Sequence, residues 1–264
     1  MSESKASRDM ILDSPVSRKT ISDSSMATAK FSAGEAGIAP SDYANFDFVA
    51  ASELAMKYIV SYEGAMNVVG LSESARDAII ASDVAYKAVT DSDMAVAKFA
   101  VGAAGLDPAD YANMSVVAAS SVAMNAVAAS SVAIGAIASS TTAKNAVLAS
   151  TTALNALDAS PLAKTMSSAG TVTGKGFVIS YSVSANLASG SKARGGYAVT
   201  IDTVVANADQ CSSGSSSASY SNATSSDTHK FFNEKIALAF TTGSNSYYGV
   251  SATGSGSMKY ILGS

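Results

Sequence analysis

The chain has 264 residues, 17 Lys or Arg against 21 Asp or Glu, a net charge of −4, and 48% hydrophobic residues without a single Trp. That length allows two domains, and a weak negative charge with no run of Lys or Arg argues against a nucleic-acid surface. One cysteine, Cys211, excludes an intramolecular disulfide and a multi-thiolate zinc site, and nothing in the composition calls for a cofactor.

Met1 to Asp13 is polar and charged and has no apolar core, so no secretory signal is expected there. From Ser4 onward a ten-residue pattern, Ser-x-x-Ala-x-x-Ala-(Val/Ile)-x-Ala, recurs to residue 166, clearest in the gapless copies starting at Ser120, Ser130, Ser140, Ser150 and Ser160. Upstream the serine stands at positions 4, 14, 24, 52, 72, 82 and 92, with Tyr62 the exception. The eighth slot carries an apolar anchor from Ile11 to Leu157, and only the last copy loses it, at Ser167. The slot after the serine holds Pro15, Glu53, Glu63, Glu73, Asp83, Asp93, Thr141, Thr151 or Pro161, residue types that suit the first turn of a helix capped by a Ser side chain. Proline costs about 3 kcal/mol inside a helix and little at its first position. Each decad is therefore expected to form a two-turn helix restarted at its serine, with slots four, seven and eight on one face and Ala at two of them allowing close approach. Helices so short need packing partners. The competing expectation is one long helix in an Ala-rich coiled coil, although ten-residue spacing fits neither the seven- nor the eleven-residue supercoil repeat.

A longer period overlies the decads. Lys30-Phe31 through Tyr43-Ala44-Asn45 returns as Lys98-Phe99 through Tyr111-Ala112-Asn113, an offset of 68 residues, and Ser4–Leu12 returns at Ser72–Ile80. The blocks run about 4–71, 72–139 and a partial 140–166, with inserts from Gly34 to Ala51 and from Gly102 to Ala119. In the inserts, Asp42 and Asp110 are expected to start or cap a helix and Tyr43 and Tyr111 to cover the loop. Arrays of this kind bury a core only by stacking, so their usual work is to make length, spacing or surface. Asn113 to Ala143 carries no charge and matches a membrane span in length. Equivalent slots in the preceding decads carry Glu73, Arg76, Asp77, Lys87 and Asp93, and one repeat fold cannot be lipid-embedded in one copy and solvated in the next.

After Met166 the sequence turns to Gly, Ser, Thr and alternating apolar residues. Strands are predicted at Phe177–Val183, Tyr197–Val204, Lys235–Thr241, Tyr247–Ala252 and Met258–Leu262, with loops at Ala188–Gly196 and Ser212–Ser226. The expected fold is thus α + β in separate domains: residues 1–167 as a solenoid-like array of short capped helices, residues 168–264 as a small antiparallel β-sandwich or jelly-roll-like domain.

Few residues suggest chemistry. The sole histidine, His229, lies near Asp227 and many serines, but no nucleophile-elbow motif surrounds any serine, so no catalysis is expected. His229 and Asp227 from one chain would leave a metal under-liganded, whereas a symmetric oligomer could gather copies of His229 at an axis. Tyr247 and Tyr248, flanked by Ser244-Asn245-Ser246 and Gly249, suit a glycan- or protein-contacting loop, and alternating tyrosines in a strand also suit one buried and one surface residue. Tyr247, Tyr248 and His229 are the candidate surface-binding residues.

The decads Ala119–Ala128 and Ala149–Asp158 resemble the Ser/Thr-Ala-Met/Leu-Asn-Ala-Val repeats of tailed-bacteriophage virion proteins, especially tail-fibre and related appendage proteins. The resemblance covers residues 4–166 as a pattern and is best over 120–159. It implies a structural virion protein made in the host cytoplasm, a homo-oligomer and foremost a trimer, whose partners are other virion proteins and whose β domain is of the docking or adhesive kind. A second expectation is an adhesin-like module in which the β domain recognises a host-surface glycan.

Overall fold

The computed structural model describes residues 4–187, 194–211, 223–241, 243–245 and 250–264. The chain divides into a helical unit, Met1–Leu162, and a β unit, Ala163–Leu262.

Fourteen α-helices occupy the described part of the helical unit: α1 (Lys5–Leu12), α2 (Pro15–Ser22), α3 (Ser25–Glu35), α4 (Phe46–Ala50), α5 (Glu53–Ile59), α6 (Glu63–Leu71), α7 (Glu73–Ala81), α8 (Asp83–Asp91), α9 (Asp93–Ala103), α10 (Met114–Ala119), α11 (Ser121–Val127), α12 (Ser131–Ser139), α13 (Thr141–Leu148) and α14 (Thr151–Asp158). Each restart has the predicted chemistry. Pro15 takes the first position of α2 while Ser14 Oγ accepts the Ser17 N–H, and Ser24, Ser52, Ser72, Ser82, Ser92, Ser120, Ser130, Ser140 and Ser150 cap the helices they precede through the N–H three residues on. Ser4 and Tyr62 make no such bond. The continuous rod is ruled out, since α11 and α12 meet at 101° across Ser130.

The fourth-slot alanines (Ala55, Ala65, Ala75, Ala85, Ala95, Ala123, Ala133, Ala143, Ala153) and the anchors from Ile59 to Leu157 lie in the core. Slot seven departs from expectation: Val68, Ala78 and Ala136 are buried, yet Tyr58 is exposed, and slot five supplies core side chains instead at Met56, Met66, Val96, Met124 and Ile134. The reason is that each helix has two neighbours in the chain and another from a distant decad, so the buried stripe is wider than one face.

Helices stack three apart: α4 on α7, α5 on α8, α6 on α9, α10 on α13 and α11 on α14. The serine caps join these layers, because their hydroxyls also donate across the stack. Ser82 donates to the Ala50 carbonyl (2.7 Å), Ser92 to Val60 (3.3 Å), Ser150 to Ala118 (2.6 Å) and Ser160 to Ala128 (2.5 Å), each 32 residues back, and Ser130 to Ala103 (3.1 Å), 27 residues back. At Ser82, Ser92, Ser130 and Ser150 one hydroxyl thus satisfies an orphan N–H of its own helix and a carbonyl of another layer.

The two inserts begin where α3 and α9 end in Gly37 (φ +73°) and Gly105 (φ +80°), left-handed positions that let Ile38 N–H reach the Ala33 carbonyl and Leu106 N–H the Val101 carbonyl. Short 3-10 turns follow at Pro40–Asp42 and Pro108–Asp110. The chain then runs back, so that Phe46 N–H meets Ser25 Oγ at the start of α3 and Met114 N–H meets Asp93 Oδ1 at the start of α9. The caps of the following helices are Asn45 and Asn113, not Asp42 and Asp110, which end the 3-10 turns. At Ser160 the decads stop: Pro161 begins a turn rather than a helix, and Lys164–Met166 is already a strand, a little before the expected boundary at 167.

The β unit holds two antiparallel sheets. Its strands are β1 (Lys164–Met166), β2 (Gly170–Thr173), β3 (Lys175–Leu187), β4 (Arg194–Ile201), β5 (Val204–Cys211), β6 (Ala223–Phe232), β7 (Lys235–Thr241), β8 (Gly243–Asn245) and β9 (Val250–Gly263). One sheet has the order β1-β9-β3-β6 with β8 on β9, the other β2-β7-β4-β5. Both contribute to a single apolar core, with Val178, Val183, Phe232, Met258 and Tyr260 from the first and Tyr197, Val199, Ile236 and Leu238 from the second. The predicted loop at 212–226 gives way from Ala223 to β6, whose polar residues pair along β3; residues 212–222 lie outside the described ones. The two strands predicted at 247–252 and 258–262 meet in the long strand β9.

Candidate functional site

In the helical unit several exposed apolar residues recur, still exposed, at the 68-residue period, although Met10, Met26, Tyr58 and Tyr62 do not. Phe48 on α4 and Val116 on α10, Leu54 on α5 and Val122 on α11, and Ile80 on α7 and Leu148 on α13 are each pairs at that offset. Charge does not follow it. Where α4 and α5 expose Asp47, Glu53 and Lys57, α10 and α11 expose Ser115, Ser121 and Asn125. Val116 is 43% and Val122 66% exposed, so at these two positions the second copy keeps an apolar side chain while the charges around it are dropped; the exposed Tyr58 and Tyr62 become Ala126 and Ser130.

Charged groups inside the unit serve packing. Lys98 is fully buried on α9, and its ammonium donates to Glu63 Oε1 (2.8 Å) and to the Pro108 carbonyl (2.9 Å), tying α6, α9 and the second insert together. Arg76 donates to the Gly70 carbonyl (2.6 Å), and desolvation lowers its pKa against the opposing pull of Glu73 and Asp77. Burial raises the Tyr86 hydroxyl, partly offset by its bond to Ser139 (3.1 Å).

In the β unit, His229 sits on β6 with φ +57°, its ring stacked on Phe177 at 5.9 Å, and Phe177 also packs against Phe231 at 4.8 Å. The carboxylate of its neighbour Asp227 lies 3.3 Å from Lys230 Nζ and accepts the Thr228 N–H (2.8 Å). Tyr247 and Tyr248 lie outside the described residues. Among the described residues, no group of three His, Cys, Asp or Glu side chains converges as a metal site would require, and no single helix is long and apolar enough to cross a membrane.

The left-handed residue explains an irregularity that sequence alternation conceals. Val178 and Tyr181 face the same core although three residues apart, an odd spacing that a regular strand sends to opposite faces. The β3–β6 register is unshifted on both sides, Val178 opposite Lys230 and Ser180 opposite Thr228, so the alternation slips in both strands at Ile179 and His229. Beside this slip a cleft of about 360 Å³ opens between edge strands β5 and β6, lined by Tyr181, Ile201, Asp202, Asp227, Lys230 and Phe231 among others. Asp202 (φ +54°) is the other non-glycine residue with positive φ among those described. Its carboxylate accepts the N–H groups of Asn233 (2.9 Å) and Glu234 (2.8 Å), so the β4–β5 turn is fastened to the β6–β7 turn at the cleft rim. This cleft is not legible from sequence, because no local motif marks where two edge strands part.

No known protein-family profile matches the chain, and no curated protein is significantly similar to it.

Proposed function

We propose that this protein is a structural, non-enzymatic component of a tailed-bacteriophage virion, a tail-fibre, head-fibre or collar and adaptor appendage that works through protein–protein assembly. In this reading the helical unit is a solenoid-like repeat that sets length and surface, and the β unit is a small sandwich at its end. The observation that carries the assembly part is the contrast between Asp47, Glu53 and Lys57 and their counterparts Ser115, Ser121 and Asn125. Two stretches of one repeat share their internal demands, and their buried positions stay apolar (Phe46 and Met114, Ile59 and Val127), so a loss of charge at exposed positions reflects what each surface meets. Loss of charge around retained apolar side chains is the compositional mark of an interface core. The virion setting rests on the resemblance of the decads to phage appendage repeats.

The test is the mass of the full chain by light scattering at micromolar concentration, together with the V122E and L54E variants, both at exposed sites. The proposal expects an oligomer, a trimer foremost, that V122E dissociates and L54E leaves intact. A monomeric wild type, or equal behaviour of the two variants, refutes assembly through this face; absence of the chain from purified particles refutes the virion setting.

The cleft in the β unit favours a second reading, host-surface binding, in which the array acts as a spacer. Binding of the full chain to whole cells, retained in V122E, separates it from a purely structural role.

A further inference from the structure

The cleft between β5 and β6 brings together features that are independent of the array. Its floor is apolar and drawn from both sheets, with Tyr181 on one side and Ile201 and Val204 on the other. Its rim carries one carboxylate, Asp227, and one ammonium, Lys230, 3.3 Å apart and each about half exposed (43% and 51%). Its volume, about 360 Å³, lies at the small end of ligand sites, which run from roughly 300 to 1,000 Å³.

The pairing on the rim is built by strain. Residues 227 and 230 are an odd number of positions apart, so in a regular strand Asp227 and Lys230 would stand on opposite faces. The left-handed conformation of His229 between them removes that alternation and sets both heads on one edge of the cleft, followed at once by Phe231. A non-glycine residue held at positive φ costs on the order of 1 kcal/mol or more, and both such residues among those described, Asp202 and His229, border this cleft. The same slip makes β6 a poor template for an added strand, which argues against a peptide that extends the sheet.

We propose that this cleft binds one pyranose ring of a neutral saccharide, an inference that rests on the host-surface reading and specifies its ligand. A sugar ring presents an apolar C–H face, which Tyr181, Ile201 and Val204 cover. Its edge carries adjacent hydroxyls that each donate and accept, which suits an acceptor at Asp227 beside a donor at Lys230. The opposite charges leave the rim without a net preference for an anion or a cation, so affinity is set by hydroxyl geometry rather than ionic attraction. Single-ring binding at a half-open site is weak, in the range of about 1 mM.

The experiment is saturation-transfer NMR on the full chain with the methyl pyranosides of glucose, galactose, mannose and N-acetylglucosamine, each at about 10 mM, repeated with D227N and K230M. The inference expects transfer to at least one glycoside, little change on adding salt, and a loss of roughly tenfold or more in affinity in D227N and K230M. D227N and K230M change half-exposed side chains outside the apolar core, and the thermal melt of each variant checks that it folds. No transfer from any of the four, or transfer unchanged in D227N and K230M, overturns the site. Cell binding that persists while all four glycosides fail would leave the host-surface reading standing and remove only this ligand class. Affinity that collapses with salt would show an ionic ligand site instead and equally overturn it.

Discussion

Gly102 of α9 lies against the backbone of Gly70 at the end of α6, so closely that a methyl group on Gly102 would stand 1.9 Å from the Gly70 carbonyl oxygen. A methyl group on Gly70 would in turn meet the Lys98 carbonyl at 2.5 Å. Neither obstacle is a side-chain tip that can swing away, so accommodation requires the helices to separate. G102A should therefore cost about 3 kcal/mol, the upper end for overpacking, and disturb the Lys98 bonds to Glu63 and Pro108 made across the same crossing. Urea unfolding of G102A reads this directly, with A103G at the next position as a control for intrinsic helix propensity. A loss below about 1 kcal/mol, the size of a propensity effect, would mean that the crossing is looser than described.

The double use of the corner serines separates capping from layer-to-layer bonding. Ser120 accepts the Ala123 N–H, whereas Ser150 accepts the Ala153 N–H and also donates to the Ala118 carbonyl at 2.6 Å. S120A should lose about 1 kcal/mol, the value of a cap. S150A should lose about 2 kcal/mol, because it also leaves a carbonyl without its partner. Equal losses in chemical denaturation would show that the hydroxyl adds nothing beyond its own helix.

How much of this was legible in the sequence follows from how local each cause is. A serine cap acts within three residues, so Ser52 through Ser150 and the proline at position 15 could be read as helix starts without knowing what lay beside them. The bond from Ser150 to Ala118 uses the same atom but depends on stacking three helices apart, and no pattern within one decad encodes it. Local pattern does not separate Asp42 and Asp110 from Asn45 and Asn113 as helix caps, because both residue types suit that role; the two Asp lie in the 3-10 turns and the later Asn cap the helices that follow. Pro161 carries the helix-start signal of Pro15, yet no further helix follows, since Leu162 is succeeded by residues that pair with β9. In the β unit, period-two alternation located the cores of β3, β4 and β7. It could not show the slip at His229, nor the cleft beside it, because a change of phase there looks like one more apolar residue out of turn.

Tyr86 supplies a pH dependence whose sign is fixed. Burial raises its hydroxyl above the ordinary 10.0 despite the Ser139 bond, so the folded chain holds this proton at a pH where the unfolded chain releases it. The unfolded state then binds fewer protons, and stability falls with rising pH. The contribution is complete below pH 10 and is lost as pH climbs from there through the folded value. Y86F has no proton to lose, and Ser139 keeps its bond to the Gly135 carbonyl (2.8 Å). The gap in stability between wild type and Y86F should therefore shift in favour of Y86F between about pH 8 and about pH 11, with the other tyrosines cancelling. A gap that is flat over this interval would show that the Tyr86 hydroxyl reaches water in the folded state.

The two turns that face each other at the cleft rim give a last comparison. Asp202 holds positive φ and accepts from Asn233, Glu234 and, at 3.3 Å, Lys235, while His229 holds positive φ and stacks on Phe177. Glycine tolerates such φ without strain, but it cannot accept hydrogen bonds or stack. At position 202 the side chain dominates: D202G removes one strained conformation, worth about 1 kcal/mol, and leaves up to three N–H groups without their acceptor, so it should destabilise. D202N keeps an oxygen and a residue type that accepts left-handed backbone, and should lose least. At position 229 neither glycine nor alanine can stack on Phe177, so the comparison between them isolates the backbone, and H229G should be more stable than H229A by about 1 kcal/mol. Thermal melts of the four variants test both rankings. If H229A proved as stable as H229G, residue 229 would not need its left-handed conformation, and the pairing of Asp227 with Lys230 would require another cause.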